Sequence, residues 1–159
     1  MSLPAEILQG ILARVALALL RIYLGAVLLV TAAVRLQSDF TPELERFIRE
    51  VALERSPAFY RDLLQEIVLP NAALFGWLLT WGVVLVGALL VVGLLTRLSA
   101  AATLLLALNA LLAKAGWRAL PSSDAAYAAI SLALIVGAAG RTWGLDAFLA
   151  KRWTRSPFW

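Results

Sequence analysis

The sequence lacks the residues on which most redox and hydrolytic sites depend. It has no cysteine and no histidine, and its only methionine is Met1. Haem, copper, zinc and iron–sulfur centres are bound through thiolate, imidazole or thioether ligands, and thiol exchange and Cys/His nucleophilic catalysis need the same side chains. We therefore exclude metal, haem and iron–sulfur cofactors. Any electrons that pass through this protein must be carried by a bound organic molecule.

Charge is also scarce. Only 15% of the 159 residues are charged and 62% are hydrophobic, with a mean hydropathy of +0.86, whereas an ordinary soluble domain is about a quarter charged. The net charge is +4, but the basic residues are scattered and form no cluster of the kind that binds nucleic acid. This composition excludes a soluble protein, gives no support for a nucleic-acid partner, and indicates the lipid bilayer as the surroundings.

Four apolar stretches are candidates for membrane spans, because about 20 apolar residues in a helix cross the hydrocarbon core. They cover about 15–34, 72–95, 98–113 and 125–140. Pro4, Glu6 and Gln9 interrupt the first apolar run and no small-residue cleavage site follows it, so we expect this segment to be retained. These stretches predict an all-α integral membrane four-helix bundle, formed by residues 1–159 as a single membrane domain with a basic C-terminal tail at 141–159.

The segment 37–70, between the first and second spans, is the only sizeable polar region. Thr41-Pro42 and Ser56-Pro57 each have the pattern of a helix N-cap followed by proline at the first helical position. Apolar residues follow both pairs at helical spacing. We expect two short amphipathic helices that lie across one end of the bundle; the alternative is a solvated loop that only links two spans.

The distribution of basic residues bears on topology. The two ends of the predicted bundle carry nearly equal numbers, but the basic tail lies close to the last span. We therefore expect a multi-pass protein of a bacterial-type cytoplasmic (inner) membrane with both termini in the cytoplasm. In the fourth span, Ala125, Ala129, Ala133 and Gly137 recur every four residues, and we expect this small-residue stripe to make the closest helix contact.

Five residues inside the predicted spans are candidates for a binding site. A charge in the bilayer costs roughly 3 kcal/mol, so Arg21 either extends its long stem to the head groups or turns inward to bind an anionic or carbonyl-bearing ligand. Asn109 and Tyr127 either hydrogen-bond neighbouring helices or line a pocket. Trp77 and Trp81 lie one turn apart, and belong either to an interfacial aromatic belt or to the wall of a site for a flat ring.

Four motifs together resemble a known family. They are the run Leu20-Arg21-Ile22-Tyr23-Leu24-Gly25, the loop ending Val68-Leu69-Pro70-Asn71, the stretch from Trp81-Gly82 to Gly93-Leu94-Leu95-Thr96-Arg97, and the ending Gly137-Ala138-Ala139-Gly140-Arg141-Thr142-Trp143-Gly144-Leu145-Asp146. In this order they resemble the DoxX/DoxD-like membrane proteins, which include the small subunit of thiosulfate:quinone oxidoreductase. The resemblance implies a four-helix membrane bundle that works beside a redox partner and passes electrons toward quinone.

The resemblance also assigns residues, and it leaves two functions open. Arg21 matches the first-span arginine of the family, and Asp146 matches its leucine–aspartate ending. The chain departs from the family at Val83, where relatives commonly carry glutamate, and at 31–33, where they often carry a histidine-glycine element.

The first function is a quinone-linked redox subunit that binds quinone as its carrier. In it, Arg21, Asn109 and Tyr127 hold the head-group carbonyls, and Trp77 or Trp81 packs against the ring. The second is a non-catalytic structural or assembly subunit of a larger membrane complex. In either case we expect another membrane or membrane-associated redox subunit, or further copies of this chain, as the partner. A small-solute transporter has little support, because the sequence has no inverted repeat.

Overall fold

The computed structural model describes residues 5–114, 122–137 and 145–146, and these residues contain helices and no strands. The α-helices are α1 (Ala5–Gln37), α2 (Phe40–Phe47), α3 (Leu53–Arg55), α4 (Ala58–Leu63), α5 (Ala72–Val92), α6 (Thr96–Ala113) and α7 (Ser123–Val136). Two π-helical turns, Ile48–Ala52 and Leu64–Val68, and a 3-10 turn, Leu69–Asn71, connect the short helices. The prediction of an all-helical chain is therefore confirmed.

Within the described part of the chain, three helical stretches are long and apolar enough to cross a membrane. They are Glu6–Gln37, Ala58–Val92 and Thr96–Ala113, which contain the first and third predicted spans and residues 72–92 of the second. The fourth apolar helix, α7, has 14 residues, about 21 Å in length. It is short for a roughly 30 Å core, and residues 138–140 of the predicted span lie outside the described part of the chain.

The four longest helices, which are α1, α5, α6 and α7, share one apolar core and are called the four long helices below. Helix α1 packs along α5, α6 packs along α7, and contacts of α5 with α6 and of α1 with α7 connect the two pairs. One fully buried residue from each helix meets the others at the centre, and these are Leu24, Leu90, Ala100 and Leu134. Interlocking side chains of this kind hold apolar helices together where lipid provides no hydrophobic drive.

The backbones of α1 and α5 approach each other closely at two glycines. A Cβ atom on Gly25 would stand 2.9 Å from the carbonyl oxygen of Gly87. The prediction that the small-residue stripe of α7 makes the closest contact is wrong, because Ala129 and Ala133 on that stripe are exposed. Spacing alone did not show which face of α7 meets a neighbour.

The turn between α5 and α6 ends the second predicted span early. Gly93 has a φ of 73°, in the left-handed region that glycine adopts at low cost. Its N–H and that of Leu94 both donate to the carbonyl of Leu89, at 2.8 and 3.0 Å, which closes α5 as a glycine C-cap does. Helix α5 therefore stops at Val92 instead of continuing to Leu95. We call the end of the molecule that contains this turn the turn end.

At the opposite end, the segment 40–68 folds into a cap. The cap core contains Leu44, Ile48, Ala52, Tyr60, Leu64 and Val68, and it packs on Ala113 at the end of α6. The segment thus contains short helices, as the sequence predicts, but these begin differently from the prediction. Asp39, not Thr41, caps α2, and the Ser56 hydroxyl donates back to the Ala52 carbonyl at 2.5 Å instead of capping α4.

Candidate functional site

A groove lies at the cap end between the last turn of α1, the start of α2 and the first half of α5. Its volume is about 260 Å³. It is lined by Arg35, Leu36, Ser38, Asp39, Phe40, Thr41, Ala73, Gly76, Trp77, Thr80 and Trp81. Because both predicted site tryptophans line it, we call it the tryptophan groove.

Trp77 and Trp81 form one wall of the groove. Their ring centroids are 6.5 Å apart and the ring planes are tilted by 50°, a separation typical of interacting aromatic pairs. The residues are 59% and 48% exposed, so much of each indole is open to the surroundings. Between them on α5, the buried Thr80 hydroxyl donates to the Gly76 carbonyl at 2.9 Å. This wall therefore offers flat apolar faces, with its hydroxyl satisfied within the helix.

The opposite wall carries the charged groups. The guanidinium carbon of Arg35 lies 4.3 Å from the centroid of the Phe40 ring, which is a cation–π contact. An oxygen of the Asp39 carboxylate accepts the Thr41 backbone N–H at 3.0 Å, and this hydrogen bond lowers the pKa of Asp39. Arg35 was not among the site residues predicted from the sequence. The available signal was a basic residue four and five positions before Asp39 and Phe40, at the end of the first span.

Arg21 lies at the turn end, far from the groove. It is 1% exposed and interacts electrostatically with Asp146, which is fully buried. This burial favours the inward orientation of Arg21 over extension to the head groups. The backbone N–H of Asp146 donates to the carbonyl of Gly93, and Trp77 lies 16 positions before Gly93 in sequence, or about 24 Å along a helix axis.

The other two predicted site residues occupy further positions. The Asn109 side-chain oxygen accepts a hydrogen bond from the Tyr60 hydroxyl at 2.6 Å, which joins α6 to the cap. Tyr127 is partly buried and packs against the core of the four long helices. Only Trp77 and Trp81 of the five are thus brought together at one groove. One head group cannot contact both these rings and Arg21, because the length of α5 separates them.

The tryptophan groove has the size of a site for one small flat ring. Its 260 Å³ is slightly less than the roughly 300–1,000 Å³ of pockets that enclose a whole drug-sized ligand, so it has room for a head group but not for a long tail. The indole N–H groups and the Arg35 guanidinium are hydrogen-bond donors, which carbonyl oxygens require. No group of His, Cys, Asp or Glu that could hold a metal occurs among residues 5–114, 122–137 and 145–146.

Comparison with known proteins identifies the family. No curated protein and no solved structure matches the chain. A family model described as the TQO small subunit DoxD, where TQO denotes thiosulfate:quinone oxidoreductase, matches residues 11–157. The match covers nearly the whole chain, including the helices that build the core and the groove. It confirms the family that the sequence motifs predicted. The chain belongs to the DoxD family of membrane proteins.

Proposed function

We propose that this chain is the membrane subunit of a thiosulfate:quinone oxidoreductase-like complex and that its tryptophan groove binds the quinone head group. The observation that carries the proposal is the pair of exposed indoles that line a ring-sized groove together with Arg35. The family match supports the setting of a quinone-linked complex. Since the sequence has no cysteine or histidine, a redox partner subunit must deliver the electrons.

The groove residues have distinct roles in this proposal. The faces of Trp77 and Trp81 stack on the ring, and their contact excludes water from it. Arg35 donates a hydrogen bond to a carbonyl oxygen, for which its guanidinium must turn from the Phe40 ring. A quinone supplies the two-electron carrier chemistry when bound. Its apolar tail would leave the groove and extend into the surrounding lipid.

The proposal includes a location. We propose a bacterial-type inner membrane crossed by all four long helices, with both termini in the cytoplasm. With the termini in the cytoplasm, the turn end would lie on the cytoplasmic side of the membrane. The groove lies at the opposite end of the molecule, so it would open in the outer leaflet. Arg21, Asn109 and Tyr127 would act on helix packing and not on the ring.

A second function, a non-catalytic structural or assembly subunit, is favoured by one observation. The buried Arg21 side chain interacts electrostatically with Asp146 of the same chain. Arg21 therefore needs no bound ligand to explain its presence in the membrane, although ligand binding was one of the two explanations that the sequence offered for it.

The test replaces the two tryptophans of the groove and measures the amount of bound quinone. The Trp77→Leu and Trp81→Leu variants each lose a stacking contact worth about 0.5–1.5 kcal/mol, so the quinone affinity of each should fall about 2- to 13-fold. The double variant should lose most of the quinone that co-purifies with wild-type protein. Leu85→Ala is the matched control, because Leu85 is also exposed on α5 but does not line the groove.

The outcomes separate the two functions. Loss of quinone in the tryptophan variants, with full retention in Leu85→Ala, supports the groove. A stoichiometric partner without bound quinone in any preparation supports the structural subunit instead. Equal quinone content in wild-type and double-variant protein contradicts the groove as the binding site.

A further inference from the structure

Asp146 links the C-terminal part of the chain to the turn end. One oxygen of its carboxylate accepts the Leu95 N–H at 2.7 Å, and the other accepts the Thr96 N–H at 2.8 Å. Its own backbone N–H donates to the Gly93 carbonyl at 2.9 Å. A single residue therefore makes three hydrogen bonds to the turn between α5 and α6.

This turn is unfavourable without such support. Leu95 has a φ of 51°, and it is the one non-glycine residue with positive φ among those that the structure describes. A side chain with a Cβ is strained in that conformation. The Asp146 carboxylate satisfies two N–H groups at the start of α6, which have no partner within the helix, and it places a negative charge at a helix N-terminus, where such a charge is stabilised.

The same carboxylate interacts electrostatically with the Arg21 side chain. Both residues are essentially inaccessible, at 1% exposure for Arg21 and 0% for Asp146. A charge buried in a membrane protein requires an opposite charge or several hydrogen bonds. Asp146 therefore has two kinds of interaction. It accepts hydrogen bonds from the turn between α5 and α6, and its negative charge offsets the positive charge of Arg21 on α1.

We propose that residues 145–146 act as a strap, in which the Asp146 carboxylate locks α1 to the α5–α6 turn through Arg21 and through the N–H groups of Leu95 and Thr96. The strap closes the turn end and keeps the first turns of α6 away from water. This role is independent of quinone binding, because it lies at the other end of the molecule from the tryptophan groove.

The experiment is a double-mutant cycle on the full chain in detergent, with thermal unfolding as the readout. Asp146→Asn keeps the shape but removes the charge and replaces one acceptor oxygen with a donor NH₂, and Arg21→Gln removes the opposite charge. Asp146→Asn leaves Arg21 without this opposite charge and breaks one of the hydrogen bonds to the turn, so it should lower Tm by about 10 °C. Arg21→Gln should lower Tm by less, because the Asp146 carboxylate keeps its two N–H donors. The double variant should lose clearly less than the sum, because no unpaired charge remains.

The matched control is Asp124→Asn. Asp124 also accepts a hydrogen bond from a cation, the Lys114 Nζ at 2.6 Å, but the Lys114 side chain is 38% exposed. Pairs in contact with solvent contribute little, so this variant should lose less than about 3 °C.

A second readout reports the strap itself. Because the chain has no cysteine, a Ser99→Cys substitution places a single thiol on α6, at a position that is 2% exposed. A maleimide should label it slowly, and adding Asp146→Asn should raise the labelling rate at least about ten-fold, whereas adding Asp124→Asn should not.

Three results would overturn the strap. They are additive losses of Tm in the cycle, a labelling rate that Asp146→Asn leaves unchanged, or failure to recover the double variant when Arg21→Gln alone is stable. If Asp146→Asn cannot be purified but the double variant can, the charge coupling is supported directly.

Discussion

The crossing of α1 and α5 at Gly25 allows a sharp test of the helix packing. We predict that Gly25→Ala destabilises the protein, although alanine has a higher helix propensity than glycine. A Cβ at this position would stand 2.8 Å from the Val91 Cγ2 atom and 2.9 Å from both the Gly87 carbonyl oxygen and the Val91 backbone nitrogen. Two of these three atoms belong to the backbone of α5, so a side-chain rotation cannot relieve the contact and the helices must separate.

The magnitude follows from two opposing effects. Replacing glycine by alanine within a helix gains about 1 kcal/mol, and overpacking of a close contact costs typically 1–3 kcal/mol. Gly82 provides the matched control, because it lies on α5 and a Cβ there would meet nothing within 4 Å. The helix-propensity gain is common to both substitutions, so Gly25→Ala should be less stable than Gly82→Ala by about 1–3 kcal/mol, or about 2–12 °C in Tm.

The assay is thermal unfolding of the purified variants in one detergent, followed by far-UV circular dichroism. We expect Gly82→Ala to match or exceed wild-type stability and Gly25→Ala to fall below it. Equal Tm values for the two variants would refute the close backbone crossing and with it the arrangement of α1 against α5.

Three further predictions concern other contacts. Tyr60→Phe should cost about 0.5–1.5 kcal/mol in chemical unfolding by removing the hydrogen bond to Asn109, and should add nothing to an Asn109→Leu variant; additive losses would contradict that bond. Leu24→Ala should cost about 2–5 kcal/mol by opening a cavity in the shared core, whereas Leu19→Ala, at an exposed position, should cost little; similar losses would mean that Leu19 is also packed. Since its folded pKa is lowered, Asp39 stabilises α2 above the ordinary carboxyl pKa of about 3.9, and this contribution should be lost as pH falls through the lowered value. An Asp39→Asn variant has no carboxyl group at this position, so its Tm should fall less than that of wild-type protein as the pH is lowered. The same pH dependence of Tm in both proteins would refute the cap.

Much of the fold follows from short-range patterns in the sequence. The uncharged stretch 72–95 predicted α5, and apolar residues at helical spacing after Pro42 and Pro57 predicted the cap helices. Both predictions were possible because helical periodicity is a local property. The family was also predictable, since its motifs are continuous stretches of the chain. Helix ends were less predictable. Gly93 stops α5 through a left-handed conformation, which the surrounding apolar run concealed.

The candidate site depended on contacts that are distant in sequence. Arg35 and Trp77 share a groove because α1 and α5 are antiparallel and the end of α1 lies beside the start of α5. No local sequence pattern predicts which residues of the two helices lie side by side. Asp146 was assigned only through the family motif, and its approach to Arg21 and the α5–α6 turn joins residues separated by most of the chain. Composition indicated that a buried arginine needed an explanation, but only the packing of the helices identified the group that faces it.

The cap shows the same limit at shorter range. Apolar positions at helical spacing predicted one broad stripe on α4 and the turn that follows. In the structure Tyr60 and Leu64 are buried, whereas Phe59 is 68% exposed. Adjacent apolar residues of a helix point to different sides, so the face that packs depends on where α2 and α6 lie.

The measurement that tests the central claim most directly is the native mass of the complex extracted in mild detergent. We predict a species that contains this chain, a redox partner in fixed stoichiometry and a bound mass equal to that of a quinone. The bound mass should disappear from the Trp77→Leu/Trp81→Leu variant while the partner stays. A chain that carries neither partner nor quinone, or a quinone mass that persists in the double variant, would contradict the claim.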